Sequence, residues 1–153
     1  AALNAFQRFE MSPVKMGPPF DEHDANKAAL QNLEANLAER VKPILAEWNA
    51  KPVIDAPRTV KIEPEITYIR FISGGARIFG GAFAGDSGIL LKVKLSDAAS
   101  GEVIGEPQFY QRANAFSATY TFGAMDKHMI IRVSGMVANY LKANYDATPG
   151  WLG

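Results

Sequence analysis

The sequence predicts an α+β domain in the order β-α-β-β-β-α: one mainly antiparallel sheet with two helices packed on one face. Two apolar stripes at three- and four-residue steps carry this expectation. They are Leu30, Leu33, Leu37, Val41, Ile44 and Trp48, and then Met129, Ile130, Val133, Val137, Tyr140 and Leu141. Between them lie runs in which apolar and polar residues alternate, the pattern of half-buried strands. A sheet with one apolar face is the natural cover for two such stripes. The chain has 153 residues, nearly half of them hydrophobic and about a fifth charged, so residues 1–153 read as one globular domain.

Asn4 to Met16 reads as a first strand of imperfect alternation, weakened by Pro13, which suits an edge or a strand end. Gly17-Pro18-Pro19 is a firm break. The first helix is expected from Asp21 to Asn49, with Asp21 as N-cap and Glu22 and Asp24 in the first turn, where negative charge suits the helix dipole. Pro43 removes a backbone donor and clashes with the Glu39 carbonyl, so a kink or break is expected there. Ala50 to Pro57 is a linker with two prolines.

Arg58 to Ile72 is a long strand with Val60, Ile62, Ile66 and Tyr68 on one face. Apolar parity then switches to Ile69 and Phe71, which calls for a bulge or twist near Tyr68-Ile69. Pro64 suggests an edge or bulge. Ile89 to Ser96 is a strand with Leu91, Val93 and Leu95 inward and Lys92 and Lys94 outward. Asp97 to Gly101 is a hairpin loop with Gly101 in the left-handed position. Glu102 to Ala113 returns as its partner, with Val103, Phe109 and Gln111 inward. Asp126 caps a second helix that runs to about Asn144, and residues 146–153 form a tail.

Two stretches stand apart. Residues 73–88 are rich in Gly and Ala around Arg77, Ile78, Phe79 and Phe83. As a helix, this stretch would align Ala76, Gly80 and Ala84 in a small-residue stripe. As a loop, its glycines would supply turns with positive φ; the balance favours the loop. Asn114 to Gly123 is again small and aromatic, with Phe116, Tyr120 and Phe122. These aromatics either cap the core beneath the two loops or form a patch for another chain. Arg77 either ties loop carbonyls or Asp86, or meets a partner.

Reaction chemistry has little material here. There is no cysteine and there are two histidines, which removes thiolate chemistry and leaves little for a zinc site or a His-based triad. Asp21-Glu22-His23-Asp24 holds metal-binding residue types, but neighbours at a helix start do not converge on one ion. His128 reads as a surface residue. Gly80 to Gly85 is followed by Asp86 rather than by Lys-Ser/Thr, so it is no phosphate loop. Glu63, Glu65, Glu102 and Glu106 fall on solvent faces of strands. No cofactor and no metal is expected. The zero net charge argues against a general nucleic-acid binder.

Ile66 to Arg77, Gly80 to Gly85, Leu91 to Asp97 and Ser100 to Ile104 together resemble an uncharacterised family of bacterial envelope proteins. Many members of that family look like lipoproteins, with a Gly-rich segment before a β-hairpin. The resemblance covers the middle third of the chain and implies export, to the periplasm or outer membrane. It also implies an N-terminal lipid anchor. This chain has no Cys to carry the lipid, so a membrane tether is expected upstream of Ala1 if anywhere. A chain starting without Met fits a removed leader or a trimmed sequence.

The first expectation is therefore a non-enzymatic envelope domain that works by protein–protein contact or self-assembly. Its contact residues are Arg77, Phe79, Phe83, Phe116, Tyr120 and Phe122. The second is a small-ligand or lipid-binding module whose pocket is lined by the same aromatics. An enzyme built on carboxylates alone is the third and weakest.

Overall fold

A computed structural model describes residues 3–22, 24–52, 55–70, 86–114 and 124–146. A 3₁₀ turn, Leu3–Ala5, precedes two short strands, β1 (Arg8–Met11) and β2 (Lys15–Met16). A second 3₁₀ turn (Phe20–Glu22) leads into α1 (Asp24–Asn49). Then come β3 (Thr59–Arg70), β4 (Asp86–Asp97), β5 (Val103–Gly105), β6 (Gln108–Asn114) and α2 (Ala124–Ala143). The six strands make one mixed sheet. β1 and β2 pair parallel with the same edge of β3, β3 pairs antiparallel with β4, and β5 and β6 pair antiparallel with the far edge of β4. The α+β class and the antiparallel centre agree with the sequence; the parallel β1 and β2 are additional to it.

The core lies between the sheet and the helices. Ile62, Ile66 and Ile69 of β3 face Leu95, Leu91 and Ile89 of β4 across the ladder, Val60 pairs with Asp97, and all are buried. Phe9 and Phe109 extend this face to either side. Above it, α1 buries Leu33, Leu37, Val41, Ile44, Leu45 and Trp48, with Leu30 half-buried. All six residues of the second expected stripe are buried on α2. Each such side chain contributes about 1.5–3 kcal/mol by leaving water.

Several boundaries differ from the sequence reading. The first strand is broken in two because Pro13 interrupts it. α1 starts at Asp24, and Asp21 sits in the preceding 3₁₀ turn rather than at an N-cap. The helix continues through Pro43 without a break. Pro43 is exposed, as is Glu39, so the carbonyl that loses its helical donor can turn to water. Pro64 lies inside a strand paired on both sides. The N–H of Val93, its partner, donates to Pro107, away from β3. That makes Pro64–Val93 a pair without ladder bonds, and the donorless nitrogen points into the gap between β1 and β2.

The expected partner strand of β4 is two strands, because Glu106-Pro107 interrupts it. Val103, expected inward, is 48% exposed. A register shift between Leu95 and Ser96 moves it off the core face. Gly101 has φ +78°, as the hairpin required. Asp126 falls in the first turn of α2, which starts two residues earlier. Residues 53 and 54, in the middle of the linker, and the tail beyond residue 146 lie outside the described residues.

The outer edge of β1 is closed by a helix side chain. Asn49 of α1 accepts from the Phe9 N–H at 2.7 Å and donates to the Phe9 carbonyl at 3.1 Å. Glu34 accepts from the Val14 N–H at 3.2 Å. Beside Asn49, Trp48 stacks on Tyr145 at 4.3 Å and tilts against Phe9 at 5.0 Å. Asn49→Ala strips partners from two part-buried backbone groups. It is expected to lower stability by about 1–3 kcal/mol in urea unfolding.

Asp97 organises the β4–β5 turn. Its Oδ1 accepts from the Ala99 and Ser100 N–H groups, and its Oδ2 accepts from Arg58 at 3.1 Å. The Ala99 N–H first, and then Arg58, hold this carboxyl below the usual carboxylate range. A folded-state value below the unfolded one gives stability that is present above about pH 4 and is lost as pH falls through the folded value. Asp97→Asn is therefore expected to flatten the acid limb of a stability–pH curve and leave its slope near neutrality unchanged.

Candidate functional site

Alternation fixes what the sheet shows on the face away from the helices. Along β3 and β4 the outward positions pair as Lys61 with Ser96, Glu63 with Lys94, and Glu65 with Lys92. Lys15 reaches Glu63 at 3.9 Å, while Lys92 lies 3.5 Å from Glu65 and 3.7 Å from Glu106. This half of the face is a solvated lattice of alternating charge. Glu63, Glu65 and Glu106 thus lie half-buried against lysines on the outer face. Glu102 is exposed, and Glu102 and Glu106 sit in connections rather than on the strand positions the sequence suggests.

The next row is different. β3 carries one extra residue between Ile66 and Tyr68, so Thr67 and Tyr68 together oppose Leu90. The Thr67 hydroxyl donates to the Leu90 carbonyl at 3.2 Å and pins the bulge. Before the bulge, even-numbered residues of β3 face the core; after it, Ile69 does. Tyr68, expected on the core face with Ile66, is instead on the outer face and 39% exposed. The sequence called for a bulge near Tyr68-Ile69, and a bulge one residue earlier sends the ring the other way.

Leu90 pairs with Tyr68 on one side and with Tyr110 of β6 on the other. Strands lie about 4.8 Å apart, so Tyr68, Leu90 and Tyr110 form an apolar row roughly 10 Å across. Tyr110 is 51% exposed. Its ring covers Gly88, with the hydroxyl 3.4 Å from where a Cβ would stand. Phe20 meets Tyr68 edge-on at 5.8 Å. Tyr110 received no role from the sequence; its signal was the register that places it outward while its neighbour Phe109 is buried.

The row sits near one end of the sheet. Arg70 pairs with Gly88, and Asp86 pairs with Asn114. Residues 71–85 and 115–123 therefore connect to adjacent strand ends at the same end of the sheet. The six sequence-derived contact residues, Arg77, Phe79, Phe83, Phe116, Tyr120 and Phe122, fall on these connections and lie outside the described residues, as does His23. His128 is exposed.

A groove among the described residues lies elsewhere, between the β1–β2 connection and α1, and has no aromatic lining. It is not the aromatic pocket of the second sequence expectation. Among the described residues no group of three or more His, Cys, Asp or Glu side chains gathers to hold a metal, and no helix is long and apolar enough to cross a membrane.

Solved structures with a similar fold put this arrangement in context. The chain resembles a Xanthomonas campestris protein of the DUF330 family at 11% identity, with 95% of this chain and 90% of that one covered and a TM-score of 0.50. It is also similar to a PelC variant from Paraburkholderia phytofirmans, solved as a dodecamer, at 14% identity, 87% coverage of each chain and a TM-score of 0.45. A minor lipoprotein from Acinetobacter baumannii matches at 10% identity, with 92% of this chain and 95% of that one covered and a TM-score of 0.42. At such identities the likeness is one of fold. No protein-family model matches the chain, and no curated protein does.

Tyr110→Ala uncovers Gly88 and removes a cross-strand contact with Leu90. It is expected to cost about 1 kcal/mol in urea unfolding. Tyr110→Phe, which keeps the ring, is expected to match the parent.

Proposed function

We propose that this chain is a non-enzymatic domain of the bacterial cell envelope that acts by self-association, one copy against another. The contact surface is the outer face of the sheet at the end where residues 71–85 and 115–123 connect. The observation that carries this reading is the Tyr68–Leu90–Tyr110 row, a half-exposed apolar strip across three strands. Aromatic residues are enriched at the centres of protein interfaces, and contiguous apolar surface marks such sites.

Electrostatics favour a second copy as the partner. The neighbouring lattice holds both signs, Lys15, Lys92 and Lys94 with Glu63, Glu65 and Glu106, so a two-fold arrangement can set it against itself in register. The formal net charge is zero, so no long-range repulsion opposes approach. In this reading Phe79, Phe83, Phe116, Tyr120 and Phe122 extend the apolar strip from connections rooted beside it, and Arg77 supplies a polar rim. Export to the periplasm or outer membrane rests on the resemblance of the middle third to envelope proteins, and a tether upstream of Ala1 belongs to the same reading.

Sedimentation velocity over the micromolar range tests this. The parent chain is expected to associate reversibly, and Tyr110→Asp and Phe83→Asp are each expected to sediment as monomers with unchanged far-UV circular dichroism. A parent chain that stays monomeric throughout, or association indifferent to both substitutions, overturns the proposal.

A further inference from the structure

On the opposite edge of the sheet, the connection from β1 to β2 runs beside α1 and leaves an open groove of about 430 Å³. That volume falls within the range of small-ligand sites. One wall is Met11 to Val14; the other is a stripe of α1 in which Glu34, Ala35, Ala38 and Lys42 follow one another. Ala35 and Ala38 have no bulk, so a ligand can lie close to the helix between the two charged ends.

The strand wall offers backbone groups. Phe9 turns its N–H and C=O to Asn49, whereas Ser12 donates to Ile62 of β3. Alternation along the strand therefore turns the N–H and C=O of Met11 away from β3 and toward the groove. They have no partner there among the described residues.

The two ends differ in charge. Asn49 meets Phe9 and Glu34 meets Val14, so α1 runs antiparallel to β1, and Lys42 falls at the Met11 end. Lys42 is exposed and makes no ion pair among the described residues. One oxygen of Glu34 takes the Val14 N–H; the other remains open. At 1.5 Å per residue the two charges stand about 12 Å apart along the helix. Three residues of extended chain span about 10 Å.

We propose that this groove binds a short extended peptide that presents a carboxylate to Lys42. The peptide lies antiparallel to β1, exchanges main-chain hydrogen bonds with Met11, and turns its N-terminal N–H groups or ammonium to the open oxygen of Glu34. This is strand addition at a sheet edge combined with carboxylate capture. A C-terminal carboxylate fits the spacing, and an acidic side chain offers the same chemistry. The site is separate from the outer face and stands whether or not the chain self-associates.

The test is an amide-resolved NMR titration of the whole chain with three probes: tri-alanine, tri-alanine amide and acetyl-Ala-Ala-Asp amide. Tri-alanine is expected to shift the Met11, Ala35 and Ala38 signals, and the amide is expected to bind about tenfold more weakly or worse. Lys42→Gln, an exposed substitution, is expected to reduce tri-alanine binding to the level of the amide. Binding of acetyl-Ala-Ala-Asp amide as tightly as tri-alanine supports the Lys42 site and assigns the carboxylate to a side chain. Absence of shifts with every probe, equal binding of tri-alanine and its amide, or indifference to Lys42→Gln overturns the proposal.

Discussion

The pairing of β3 with β4 is the constraint from which the other features follow. It joins Val60–Arg70 to Gly88–Asp97 and supplies the middle of both sheet faces. A strand has a two-residue period, so one added residue exchanges its faces. The extra residue at Thr67 does this once. Without it, Ile69 would point to solvent and Tyr68 would enter the core opposite Ile89. With it, Ile69 is buried and Tyr68 joins Leu90 and Tyr110 outside. The hydroxyl of Thr67 holds the irregularity to the Leu90 carbonyl, so the apolar row depends on a local hydrogen bond as well as on register.

The edges of the sheet bear on how copies can meet. Exposed strand edges invite pairing, and folded proteins usually cover them. On the β1 side, Asn49 and Glu34 of α1 occupy backbone groups. On the β6 side, Arg132 of α2 reaches the side chain of Gln111 at 3.0 Å and the carbonyl of Arg112 at 3.2 Å. With both edges partly occupied, the face carrying Tyr68, Leu90 and Tyr110 is the more open surface for another copy. The groove at Met11 is the place where edge cover stops short, and it is there that a short peptide fits.

The helical part of this fold could be read in the sequence because periodicity is a direct record of burial. Every residue of the α2 stripe and all but Leu30 of the α1 stripe is buried. Features set by distant partners were harder to read. The parallel placement of β1 and β2 depends on β3, fifty residues away. The passage of α1 through Pro43 depends on that turn facing water. The inward or outward choice at Val103 follows from an irregularity in β4, not from the alternation of its own strand. The outward face of Tyr68 was missed by one residue, because a parity switch says that a bulge exists but not which residue is the extra one. Of the site, a linear reading weights the aromatics near 79 and 116 and passes over Tyr110 and Lys42. Both are ordinary residues in a linear reading, and only the pairing of strands and the run of α1 beside β1 give them neighbours.

The proposed self-association needs the bulge to send Tyr68 outward, to a face that a second copy covers. Relaxation of side-chain signals by a dissolved gadolinium chelate measures it directly, at low and at high protein concentration. Strong relaxation of the Tyr68 and Tyr110 rings is expected in dilute solution, with its loss on concentration and with protection of the Ile69 methyl groups in both. Protected Tyr68 with relaxed Ile69, or tyrosine rings equally accessible at both concentrations, contradicts it.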